Sequence, residues 1–80
     1  MDINILKKIT PIYNNFIFNE VPTKLNVTQF QTANAYVSGT LTVYLNGIKE
    51  KYIIEESTTV FSLPIDSIDD DYIEVDYIKS

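Results

Sequence analysis

The side chains that could do chemistry are the carboxylates of one stretch near the end of the chain: Asp66, Asp69, Asp70, Asp71, Glu74 and Asp76. Several oxygens at this density are what a hard cation such as calcium requires. The spacing is not that of an EF-hand loop, because the run has no central glycine and no distal glutamate, and it leads into a strand-like segment. Solvated turn acids that also keep an exposed edge from pairing are the plainer reading, so no metal site is assigned. Paired carboxylates could also serve glycoside hydrolysis, but these lie in one loop and along one strand, and 80 residues leave little room for a substrate cleft. With no histidine and no cysteine, imidazole bases, thiol nucleophiles, Cys/His zinc sites and disulfides are all excluded. The expectation is a protein that is not an enzyme, with no catalytic residue, metal ligand or cofactor.

Binding is the remaining function, and charge narrows the partner. The net charge is −5: residues 1–40 carry +1 and residues 41–80 carry −6. Six lysines and no arginine against eleven acids disfavour phosphate backbones and anionic lipid. Neither nucleic acid nor membrane is therefore expected. Tyr36, Tyr44, Tyr52, Tyr72 and Tyr77 could form a surface for sugar stacking or protein contact, since their rings are apolar and their tips polar. Tyr77 shares the register of Ile73 and Val75, which points to burial. Asn26-Val27-Thr28 has the letters of a glycosylation sequon, but Met1 to Thr10 lacks the layout of a secretory leader. Synthesis in a cytoplasm is expected, and the sequon is read as coincidence.

The elements that must position these groups are strands. Leu41, Val43 and Leu45 alternate with Thr40, Thr42 and Tyr44; Asn46-Gly47 tolerates the positive φ of a type I′ turn; a second β-like run, Ile48 to Ile54, follows. This hairpin is the firmest local feature, and Gly39 permits the bend before it. Further strands are expected at Tyr13 to Phe18, with Phe16 and Phe18 on one face and Ile17 on the other. Val27 to Thr32 should follow with Phe30 in the core, then Thr59 to Leu63 with Phe61 and Leu63 inward, and Tyr72 to Lys79 with Ile73, Val75 and Tyr77 inward. Asn19 to Thr23 breaks the first strand, Ala33 to Ser38 connects, and Ile65 to Asp71 reads as an acidic loop whose two isoleucines pack back on the body. Six or seven short strands at regular turn intervals, with no convincing helix, give an all-β chain: a small antiparallel β-sandwich, immunoglobulin-like or jelly-roll-like.

The domain division is an N-terminal arm, residues 1–11, and a β-sandwich domain, residues 12–80. Ile3, Ile5, Leu6 and Ile9 fit either alternation or one turn of helix, and Pro11 disfavours helical geometry at Thr10. Such an arm is either loosely ordered or docks on a neighbour, because its aliphatic side chains are unfavourable in water. A core of this size contributes only about 3–5 kcal/mol, and oligomerisation is the one common reinforcement still open to it.

The order of these elements resembles a recurrent small domain of tailed-bacteriophage virion proteins, found in head fibres, tail fibres and other virion components. The features that carry the likeness are the Asn19-Glu20-Val21-Pro22-Thr23 segment, the short strand around Phe30, the GTLTVYLNG hairpin, Phe61 to Pro64 as F-x-L-P, and the closing Ile73, Val75, Tyr77 strand. They span residues 16–79; Lys24-Leu25-Asn26 and Asp69-Asp70-Asp71 stand where glycine-containing turns are usual, and Met1 to Pro11 has no counterpart. The resemblance implies a non-enzymatic virion structural protein: a homo-oligomer, dimer or trimer, that decorates a capsid or anchors a head or tail fibre by contact with capsid or fibre subunits. A carbohydrate-binding or host-recognition module using exposed tyrosines is the alternative.

Overall fold

The computed structural model describes residues 15–80, so the expected arm and the start of the first expected strand lie outside the described residues. The chain is all-β, a small sandwich of two antiparallel four-stranded sheets. The strands are β1 (Phe16–Glu20), β2 (Thr23–Lys24), β3 (Gln29–Gln31), β4 (Thr42–Leu45), β5 (Ile48–Lys49), β6 (Ile54–Glu55), β7 (Val60–Ser62) and β8 (Ile73–Ile78). The first sheet runs β1-β8-β4-β5 and the second β2-β3-β7-β6. Among the described residues there is no helix, hence none long and apolar enough to cross a membrane.

Two expectations about strands are corrected. In the expected break Asn19 to Thr23, Asn19 and Glu20 instead complete β1, and Thr23 opens an edge strand in which Thr23 and Lys24 pair with Gln31 and Phe30. The second arm of the hairpin, expected as one run from Ile48 to Ile54, is two strands in different sheets. Asn46 (φ 53°) and Gly47 (φ 84°) make the two-residue turn, and the pairs Tyr44 with Lys49 and Leu45 with Ile48 close it. The Glu50 N–H still reaches the Val43 carbonyl at 2.8 Å. The chain then leaves the first sheet, packs Ile53 against the core, and joins the second sheet through Ile54 and Glu55. Period-2 alternation is blind to this crossing, because an extended segment keeps its alternation whichever sheet it pairs with.

The core is the layer between the sheets. Val43, Ile73, Val75 and Tyr77 come from the first sheet, Phe30 and Phe61 from the second, joined by Leu41, Leu63 and Tyr36. β8 lies between β1 and β4 and alternates buried and half-buried along its length, as its sequence predicts. Phe30 and Phe61 are cross-strand partners with rings stacked 5.6 Å apart, and Tyr36 meets Tyr77 edge-on at 6.1 Å. Aromatic pairs of this kind add about 0.5–1.5 kcal/mol beyond the area they bury. Ile65 and Ile68, expected to pack back on the body, are exposed. The loop is tied down instead by buried Ser67, whose N–H and hydroxyl both donate to the Val27 carbonyl, at 2.7 and 2.8 Å.

Candidate functional site

The outer face of the first sheet is built by alternation on three strands. With Ile73, Val75 and Tyr77 inward, β8 turns Glu74, Asp76 and Ile78 outward; β4 turns Thr42 and Tyr44 the same way. Register sets Thr42 opposite Asp76, Tyr44 opposite Glu74, and Phe16 opposite Ile78. Ile17 packs on the core, so the stacked rings of Phe16 and Phe18, 5.8 Å apart and 11° from parallel, belong to the outer side. A groove of about 350 Å³ results, lined by Phe16, Phe18, Thr40, Thr42, Asp76 and Ile78 among others.

Its walls are fixed. Thr40 donates its hydroxyl to the Val37 carbonyl at 2.7 Å and accepts the Ile78 N–H at 3.1 Å. Asp76 Oδ1 accepts the Asn19 N–H at 2.8 Å. That bond holds a bulge: between the pairs Ile17–Tyr77 and Glu20–Val75, β1 has one residue more than β8, and Asn19 takes a φ of 57°. The extra residue shifts the alternation, so that Glu20 and not Asn19 turns toward Tyr77. One Glu20 oxygen accepts the Tyr77 hydroxyl and the other the Ala33 N–H at 3.0 Å. Burial, then the Glu20 bond, raises the Tyr77 pKa above 10; burial, then Glu55 and Glu56, raises that of Tyr36. Chemically the groove offers apolar walls beside a carboxylate, and among the described residues neither Asp76 nor Glu74 forms an ion pair. It suits aliphatic side chains flanked by ammonium groups.

The acids singled out in the sequence do not converge. Asp71 belongs to the hairpin turn: its oxygens accept the Ile68 N–H at 2.8 Å and the Asn46 amide at 3.0 Å, and those bonds lower its pKa. Asp69 faces Lys24 across 3.8 Å of solvent-exposed surface. Glu74 and Asp76 stand on the sheet. Among the described residues no three carboxylates gather into a cage for a metal ion.

The tyrosines also separate. Tyr36, considered above as a surface residue, is buried at 2% exposure and donates its hydroxyl to the Ser57 carbonyl at 2.6 Å. Tyr77 is buried, as its register predicts. Tyr44 is half-buried on the outer face, whereas Tyr52 and Tyr72 are exposed on the β5–β6 crossing and beside the hairpin turn. Asn26, the sequon residue, accepts the Gln29 and Thr28 N–H groups at 2.8 and 3.0 Å and so shapes a turn.

The groove escaped the sequence reading. Its signal was present in Phe16 and Phe18 sharing one face, and in the apolar end, Ile78, of the outward set of β8; what decides that this face is the outer one is the pairing of β1 with β8. Compared with known protein families, curated proteins and solved structures, the chain matches none.

Proposed function

We propose that this chain is a non-enzymatic structural protein of a bacteriophage virion, an oligomeric module that decorates the capsid or anchors a head or tail fibre through residues 1–11. The observation that carries the reading is the distribution of apolar side chains. Among the described residues, Phe18, Val21, Leu25, Val27, Val37, Ile48, Tyr52, Ile54, Ile65, Ile68 and Tyr72 are exposed, against nine core residues. A small sandwich with as much oil outside as in gains stability when neighbours cover it. The sequence features that resemble virion domains fall on successive elements: Phe30 on β3, the GTLTVYLNG hairpin on β4 and β5, Phe61 on β7, and Ile73 to Tyr77 on β8. The carbohydrate-binding alternative loses Tyr36 and Tyr77 to the core.

The reading is tested by deleting residues 1–11. Circular dichroism should be that of the parent sandwich, while incorporation into phage particles and concentration-dependent association in sedimentation are lost. Unchanged incorporation overturns it, and so does a full-length chain that stays monomeric up to millimolar concentration.

A further inference from the structure

The geometry points to an occupant for the groove on the first sheet: residues 3–9 of a second copy of this chain, exchanged reciprocally between two protomers. This rests on the reading of residues 1–11 as an attachment arm and names the surface that receives it. Three observations carry it.

The first is where the chain meets the groove. Residues 1–14 join the described part at Asn15, next to Phe16, which lines the groove. Every copy therefore carries arm and receptor side by side. Two copies facing each other across a two-fold axis bring each arm to the other's groove, the self-complementary arrangement of an isologous dimer.

The second is chemical fit. Residues 1–11 hold Ile3, Ile5, Leu6 and Ile9 with Lys7 and Lys8 against Asp2, a charge of +1 in a chain of −5. The groove presents Phe18 and Ile78 for the aliphatics and Asp76 for the lysines, with Glu74 further along the same outer face of β8; neither acid forms an ion pair among the described residues. Overall, like-charged copies repel; this pairing of a cationic arm with an acidic face is where attraction between them is concentrated.

The third is reach. Six residues separate Ile9 from Phe16, a tether that can span up to roughly 20 Å at ~3.3 Å each. A tether of that length is enough to reach the groove of a facing copy.

Because the chain has no cysteine, single thiols report the contact directly. Copies carrying Ile5→Cys are mixed with copies carrying Thr42→Cys and oxidised mildly; the control acceptor is Gln31→Cys, exposed on the second sheet. The expected result is a disulfide-linked species of twice the 9.2 kDa chain mass containing the 5–42 linked peptide by mass spectrometry. Its yield should exceed the 5–31 control by about tenfold, which corresponds to roughly 1.4 kcal/mol of preference. Adding Phe18→Asp, a change at an exposed position, to the Thr42→Cys acceptor should bring the yield down to the control. Equal yields at 42 and 31 overturn the inference, as does absence of any 5–42 link. A chain carrying both thiols that closes only on itself overturns it too, placing the arm in its own groove. Particle incorporation of the 1–11 deletion reads the proposed function separately. Lost incorporation without a 5–42 link sinks the exchange and spares the virion reading; a 5–42 link with unchanged incorporation supports the exchange and sinks that reading.

Discussion

At each side of the sandwich one continuous segment crosses from the first sheet to the second, and the two crossings are secured to different extents. Phe16 to Lys24 runs from β1 to β2 through Val21 and buried Pro22. It is bolted to the body by side chains: Glu20 to the Tyr77 hydroxyl and the Ala33 N–H, Asp76 to the Asn19 N–H. Ile48 to Glu55 runs from β5 to β6 with two-residue strands at either end. It leaves Ile48, Tyr52 and Ile54 exposed, and Lys51 lies over the Tyr52 ring at 5.6 Å. Short strands and lysines are devices that keep an open edge from recruiting another chain, whereas a bulge stapled to the core makes an edge rigid. The first crossing is thus a rigid, shaped surface, whereas the second keeps its open edges short.

The sharpest break between the two crossings should come from Tyr77→Phe. Removing the hydroxyl leaves the Glu20 carboxylate short of a donor at the rim of the core, and urea unfolding should register a loss of about 1.5–3 kcal/mol. Next is Asn19→Val: a β-branched residue at a φ of 57° should lower stability by about 1–2 kcal/mol in the same assay. At the other crossing, Gly47→Ala should cost about 1 kcal/mol in thermal unfolding. A methyl group there meets nothing within 4 Å, so the strain of φ +84° is the whole effect.

Alkaline titration probes both sides together. Tyr77 is tied to Glu20 at the first crossing, and Tyr36 lies near Glu55 at the second; both have folded pKa values raised above the ordinary 10. Their protonated forms are therefore favoured by folding. That contribution is fully present below about pH 10 and is lost as pH rises toward the folded values. Stability followed by fluorescence should be flat up to that point and then decline, less steeply in Tyr77→Phe. The smallest effect belongs to Tyr52→Ser, within about 0.5 kcal/mol of the parent because the ring is 69% exposed. A loss there as large as that of Tyr77→Phe would erase the distinction between the crossings.

The sequence alone determined what alternation and turn chemistry can specify. Leu41, Val43, Ile73, Val75 and Tyr77 fall inward because a strand places every second side chain on one face, and Asn46-Gly47 closes the hairpin because both accept positive φ. The all-β class follows from the same local rules. Only the tertiary structure decided the rest: that the run after the hairpin divides between sheets, that Tyr36 is core, that the acids disperse, and that Phe16 and Phe18 wall a groove with Asp76 and Ile78. Each of these depends on which strand pairs with which, a choice made by contacts between residues distant in the chain. The bulge at Asn19 is the clearest case, since one extra residue turns Glu20 toward a tyrosine 57 positions later, and no local pattern contains that partner.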